Sequence, residues 1–303
     1  MTHKSVLLKE AIDGLNIKEG DIFVDGTLGG GGHLEEVARR FGNTVVMIGI
    51  DLDPEALSRT KERLTKFGTN VIYAEGNFRN IDSILQSLNF EKVDRILLDI
   101  GLSSNQFEES GRGFSFQRNE PLIMSFKKDL TKSDLTAKEI LNKWDEENIR
   151  TIIESYGEEK FAYKIAKAIV EARGVKPIET TFELVEIIKS ATPVFYHHRK
   201  IHPATKTFQA LRITVNDEVG NLKEGISKSF NRLNKGGRLA VISFHSLEDR
   251  IVKQFFAIKS NKNKLQNITE GIIVTKRPIT SEVEEIKLNP RSRSAKLRII
   301  EKI

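Results

Sequence analysis

Three aspartates and one run of glycines are the residues here whose types and spacing could do chemistry. Asp25 follows the apolar run Ile22-Phe23-Val24 and leads into Gly26-Thr27-Leu28-Gly29-Gly30-Gly31-Gly32-His33. A strand, a glycine turn and then a segment reading as helix from Leu34 to Phe41 let a nucleotide-like ligand lie against bare backbone, because glycine has no Cβ in the way. The spacing narrows the ligand. No start among these glycines completes Gly-x-Gly-x-x-Gly, since Gly29-x-Gly31 runs on to Leu34 and Gly30-x-Gly32 to Glu35. The Gly-Lys-Ser/Thr ending of a phosphate loop is missing as well. What remains is an acid at a strand end followed by Gly29-x-Gly31, which suits a ligand with no phosphate to cradle.

That remainder resembles the first motif of the S-adenosylmethionine (AdoMet) methyltransferases. Asp51 ends a second apolar run about twenty residues further on, where an acid can hold both ribose hydroxyls. Asp53 competes for the role, but it precedes Pro54, and an acid before a proline at the first helical position is a common cap. Asp53 is therefore assigned to the cap and Asp51 to the ribose. Phe78 leaves the third strand at the same sheet edge and can flank an adenine ring or fill the core. Asp99 ends the fourth strand, where a methionine ammonium or methyl group would lie. The chain has no cysteine, so disulfides, thiolate metal sites and attack through a protein thiolate are excluded. None of its six histidines sits in a set with metal-ligand spacing, and no metal site is expected.

The elements that must position these residues follow from periodicity. Ile22–Asp25, 45–51, 71–74 and 93–99 are short continuous apolar runs separated by helical patterns over 54–67 and 80–88. Such runs indicate a parallel sheet covered on both faces. After Asp99 the pattern breaks. Residues 105–135 read as loop, and three helices follow without strands, with Thr136-x-x-Glu139 and Thr180-x-x-Glu183 fitting capping boxes. The α/β pattern resumes from Phe208. A helix over 221–233 is ended by Gly236-Gly237, a fifth strand covers 238–244, and Ser246 caps the next helix. A polar linker spans 259–264, and 272–275 and 296–300 are candidate closing strands, with an antiparallel direction open to them. The expected fold is α/β, a Rossmann-like seven-stranded methyltransferase core with an inserted all-α domain. Hydrophobic residues at 39% and charged ones at 30%, with 48 basic against 42 acidic side chains and a net charge of +6, fit a soluble chain compatible with a polyanionic partner. No apolar run approaches the ~20 residues of a membrane span, and a cytoplasmic location is expected.

Longer blocks then carry a more specific resemblance. Asp25 to His33, Leu98-Asp-Ile-Gly-Leu-Ser-Ser104, Arg112-Gly-Phe-Ser-Phe116, His202-Pro-Ala-Thr-Lys-Thr-Phe-Gln-Ala-Leu-Arg-Ile213, Val241-Ile-Ser-Phe-His-Ser-Leu-Glu-Asp-Arg-Ile-Val-Lys253 and Asn289-Pro-Arg-Ser-Arg-Ser-Ala295 resemble, in order, the bacterial 16S ribosomal RNA cytosine-N4 methyltransferases. The resemblance implies an enzyme using AdoMet on N4 of a cytosine in the decoding region, within the small ribosomal subunit. It implies a cofactor site of Gly31, Gly32, His33, Asp51, Phe78, Asp99 and Gln106. Asp99, with Ser103 and Ser104 behind it, is the candidate acceptor at the amine. Arg112, His202, Lys206, Arg212, Arg250, Arg291 and Arg293 are candidates for the RNA side. The expected division is 1–107 with 204–303 as the methyltransferase core and 108–203 as an inserted helical domain that recognises RNA. Two departures stand out. The family usually shows Gly-Pro-Leu-Asp-Met-Arg-Met where this chain has Glu120-Pro121-Leu122-Ile123-Met124-Ser125-Phe126, and proline where it has Asn105. Two other readings remain at this stage: an AdoMet enzyme with a different substrate, or a ribosome-assembly factor without transfer activity.

Overall fold

Short apolar runs that must be buried on both faces pair side by side, and the first four strands form in this way. The structure is a computed structural model that describes residues 5–100, 110–127, 129–261 and 269–303, with Arg291 described by its backbone alone. Its strands are β1 (Ile22–Asp25), β2 (Val46–Asp51), β3 (Val71–Glu75), β4 (Val93–Asp99), β5 (Leu233–Ser243), β6 (Gly271–Ile273) and β7 (Lys296–Lys302). They make one seven-stranded sheet in the order β3-β2-β1-β4-β5-β7-β6. The first five strands are parallel, and β7 is antiparallel to both β5 and β6. Order reverses at β1, so the crevice outside the strand ends opens beside Asp25.

Helices α1 (Leu8–Leu15), α2 (Gly32–Phe41), α3 (Pro54–Leu64) and α4 (Ile81–Ser87) precede the break. Helices α5 (Ala137–Lys143), α6 (Glu146–Ser155), α7 (Ala162–Val175), α8 (Thr181–Ala191), α9 (Val194–His197) and α10 (Thr205–Val215) fill it. Helices α11 (Glu218–Arg232), α12 (Ser246–Ser260) and α13 (Val283–Leu288) follow. None of the described helices is long and apolar enough to cross a membrane.

The chain divides into two compact units, 1–101 with 220–303 and 102–219. The first holds the sheet, with Phe23, Leu34, Met47, Leu97, Ala240 and Leu297 in its core. The second is helical, around Leu122, Ile140, Ile153, Ile165, Leu184 and Leu211. Residues 204–219, expected with the methyltransferase core, lie in the helical unit, because Ala204, Phe208, Ala210 and Leu211 bury their side chains in its core.

Local chemistry accounts for several boundaries. Thr180 and Glu183 close a reciprocal capping box on α8, and Thr136 accepts from the Glu139 amide at the start of α5. The cap of α12 is His245, with Glu248 reaching back, and not Ser246. Gly236 and Gly237 do not end α11, which stops at Arg232. They lie inside β5, where the register against β4 shifts and Gly236 takes φ +77. The extra residues make a bulge, held where Arg95 Nη1 donates to the Gly236 carbonyl at 2.7 Å. Among the described residues the helical block has six helices where three were expected. The polar linker 259–264 begins as the last turn of α12 with Asn261 as its C-cap, and 262–264 lie outside the described residues.

Candidate active site

Asp25, Asp51 and Asp99 stand at the carboxyl ends of three neighbouring strands, β1, β2 and β4. The glycine turn runs between them and is tied to each strand. Gly26 N–H donates to the Leu97 carbonyl at 2.9 Å, and Leu28 N–H to the Ile50 carbonyl at 2.9 Å. Asp99 N–H donates to Thr27 Oγ1 at 2.6 Å. Gly29 and Gly31 have φ +50 and +67, and Gly31 is the residue before α2. A Cβ on Gly31 would come within 2.7 Å of Thr60 Oγ1, and one on Gly26 within 2.6 Å of Leu98 Cδ2. Glycine is required at Gly31 on both counts, conformation and space.

Asp51 holds this turn as well as facing the crevice. Its Oδ2 accepts from Gly29 N–H at 2.6 Å and its Oδ1 from Asp53 N–H at 2.8 Å. A carboxylate has about four lone-pair sites, so hydroxyls can still be accepted beside these amides. Burial raises its pKa above the ordinary value, against the pull of those amides. Asp53 is the helix cap, accepting from Glu55 N–H at 3.0 Å, as its place before Pro54 implied.

Asp25 is the least solvated of the three. It is 1% exposed, its Oδ1 accepts from Thr27 N–H at 3.2 Å, and its Oδ2 has no hydrogen-bond partner among the described residues. Burial above all, then the charges of Asp99 and Asp51, push its pKa up to about 8 against the opposing Thr27 amide. The sequence placed an acid at this strand end but carried no sign that its pKa would be raised. That property comes from the strands packed around it.

His33 is buried, with Nε2 3.1 Å from the Val6 carbonyl and Nδ1 4.0 Å from Asp99 Oδ2. A carbonyl can only accept, so the Nε2 proton is on His33 and its Nδ1 faces the Asp99 carboxylate. Gly32 begins α2. Phe78, half-buried, starts the turn after β3, and its ring packs on α11, where a Cβ on Gly225 would lie 2.5 Å from Phe78 Cε2. Ser103, Ser104 and Gln106 lie outside the described residues, as does Asn105.

The residues expected on the RNA side are mostly engaged within their own unit. Arg112 Nη1 donates to the carbonyls of Ser125, Phe126 and Lys127 at 2.9, 3.3 and 2.8 Å. Lys206 donates to the Glu158 carbonyl at 2.6 Å. Arg212 makes a two-pronged pair with Glu218 at 2.8 and 2.9 Å. His202 stacks on Phe116 with ring centroids 4.5 Å apart, and burial leads the lowering of its pKa. Arg250 and Arg293 are exposed, and Arg291 has only its backbone described, in the turn Pro290–Ser294.

The departing segment is built into the helical unit. Glu120 Oε2 accepts from Gly113 N–H, Leu122 and Met124 are fully buried, and the Ile123 carbonyl accepts from Ala137 N–H. Met124 takes φ +57, and its carbonyl accepts from Asn216 Nδ2 at 2.7 Å.

Bare backbone at the turn and three carboxyl groups at the strand ends around it suit a cationic nucleoside ligand, and AdoMet, with its sulfonium, ammonium and ribose, is such a molecule. The comparisons with known proteins agree. The model of the MraW methylase family matches residues 1–303. "Ribosomal RNA small subunit methyltransferase H" of Clostridium botulinum is 48% identical over 313 aligned residues, covering 99% of each chain. The protein of the same name from Ruminiclostridium cellulolyticum is 43% identical over 318, again with 99% of each covered.

Proposed function

This chain belongs to the MraW methylase family, and from that premise we propose that it methylates N4 of a cytosine in the decoding region of 16S rRNA, in the small ribosomal subunit. It does so as an AdoMet-dependent enzyme of the cytoplasm, where that substrate is found. The observation that carries the reading is the site: a glycine turn that admits no side chain at Gly31, bounded by Asp25, Asp51 and Asp99. Relatives with the small-subunit name along almost their whole length support the substrate.

AdoMet supplies a methyl group already activated on a sulfonium, so the chain's own work is placement and electrostatics. Asp51 takes the ribose hydroxyls while holding Gly29 and Asp53 in place. Asp99 is the acceptor nearest the expected amine. Its backbone is fixed by Thr27 and its carboxylate faces His33 Nδ1. An acceptor there draws the N4 lone pair out of conjugation with the ring and takes the proton that the amine loses as the new C–N bond forms. Ser103 and Ser104 are the alternatives for that proton, and Gln106 completes the cofactor contacts. The target base must leave its stack to reach such a pocket. Residues 102–219 form the part that grips RNA, with Arg250, Arg291 and Arg293 as contacts from the other unit. Arg112, His202 and Lys206 act there by fixing backbone, and Arg212 by pairing with Glu218, rather than by reaching out.

The test is to treat unmethylated small subunits with the protein and labelled AdoMet, digest the RNA and separate the nucleosides. Label in N4-methylcytidine is the expected result. Label on C5, on a ribose or on adenine would reject the assignment. No label with AdoMet still bound would favour a non-catalytic assembly factor.

A further inference from the structure

We propose that the end of the helical unit formed by α9 and the turn after it, with Lys160 beside it, is a binding surface for unpaired RNA. Phe195 would stack on a base, and Lys160, Arg199 and Lys200 would hold the flanking phosphates. The proposal rests on the substrate being ribosomal RNA and names the surface that grips it.

The segment Val194-Phe-Tyr-His-His-Arg-Lys-Ile201 turns its apolar side chains outward. Val194 is 71% exposed, Phe195 61% and Ile201 59%, while Tyr196 alone is buried. Tyr196 anchors the segment by donating its hydroxyl to Glu159 Oε2 at 2.5 Å and meeting the Phe161 ring edge-on at 4.9 Å. Glu159 is 2% exposed, and its other oxygen accepts from Phe161 N–H. Around this anchor the cations lie on rings. Lys160 Nζ is 4.9 Å from the Phe161 ring, 5.6 Å from Tyr196 and 5.8 Å from Phe195, and Arg199 Cζ is 5.0 Å from Tyr196.

Three cations without a carboxylate partner gather at this place, although Arg118, Lys132 and Lys164 of the same unit also have none among the described residues. Lys143, Lys167, Lys176 and Lys189 each pair with a glutamate. Among the described residues, Lys160, Arg199 and Lys200 have no carboxylate within ion-pair distance. One exposed ring, Phe195, among cations without a carboxylate partner matches a polyanion whose repeating unit carries a flat, stackable group, which is single-stranded nucleic acid. Base-paired RNA would hide the faces that Phe195 could stack on. A membrane surface is disfavoured because α9 is a single turn, too short to lie in an interface as an amphipathic helix.

The full-length protein is assayed for binding to a short, unstructured, fluorescently labelled RNA over a range of salt concentrations, and for methyl transfer to small subunits. Phe195→Ala should weaken RNA binding about tenfold. Lys160→Ala with Arg199→Ala should reduce the slope of log affinity on log salt by about 1.4, from two phosphates. Both variants should raise the KM for subunits while leaving AdoMet affinity and the melting temperature unchanged. Lys143→Ala, a paired cation on the same unit, should do none of these. If the wild type labels subunits and the variants match it in RNA affinity, salt slope and KM, the surface is wrong and the function stands. If the variants keep RNA binding but lose binding to phosphatidylserine vesicles, the surface belongs to a membrane and the proposal falls. If RNA affinity drops in these variants alone while the wild type fails to label any subunit, the surface holds and the assigned reaction is what fails.

Discussion

Asp25 illustrates how much a side chain's chemistry depends on where the fold puts it. Its pKa rises to about 8 because burial removes the water that would stabilise its charge. In the unfolded chain an aspartate titrates near 4. Between those values the folded state holds a proton that the unfolded state releases, so stability should fall as pH rises through this window. Asp25→Asn, which cannot ionise, should remove the effect. Denaturant unfolding at intervals from pH 5 to pH 8 should show wild type losing up to about 1.4 kcal/mol per pH unit relative to the variant. Parallel curves would mean that Asp25 is ionised in the folded protein. The neighbouring pair separates binding from capping. Asp51→Ala removes an acceptor used by two backbone amides and proposed for the ribose, and should lower AdoMet affinity at least about tenfold. Asp53→Ala should cost about 1 kcal/mol of stability through its lost cap and leave affinity unchanged. Calorimetric titration and thermal melts of both variants check this, and equal affinity losses would reverse the two roles. Asp53 was legible in the sequence because a cap is a local motif. The engagement of Arg112, Lys206 and Arg212 was not, because a cation looks the same in sequence whether it meets phosphate or a carbonyl or carboxylate of its own unit.

At the scale of elements, a mid-helix glycine such as Gly225 in α11 costs about 1 kcal/mol against alanine in an exposed helix. Here the ring of Phe78 occupies the space where a Cβ would stand. Gly225→Ala should therefore destabilise, by about 1–3 kcal/mol, in spite of alanine's better helix propensity. A melt that moves upward would show that the ring yields without cost. The strands β1 to β4 were readable because continuous apolar runs bounded by turns have few other uses. Helix α1 was not anticipated. It follows Leu7, which takes φ +51 and offers no capping side chain, so its start carries no local signal. The glycines at 236 and 237 were read as a helix stop, since the bulge they form is defined only by pairing with β4. Helix α10 was expected with the sheet because its apolar residues fit either core, and only tertiary packing assigned it to the helical one.

Across the whole molecule, the general architecture followed from one break in pattern after Asp99, and the division into two cores agrees in kind with that break. What periodicity could not supply was the path of the chain through the sheet. Strands β4 and β5 are hydrogen-bonded neighbours, yet the whole of 102–219 is made between them. β7, near the end of the chain, is paired on both sides, by β5 and by β6. The order of synthesis on the ribosome is therefore not the order of assembly. The helical unit is complete in sequence while the sheet it interrupts is still half made, with the apolar edge of β4 unpaired. The sheet is sealed only when Lys296–Lys302 slides in between two strands already translated. Such long-range pairing closes slowly, so a vulnerable moment comes late in this protein's making, and β7, made after both of its partners, is the strand that ends it.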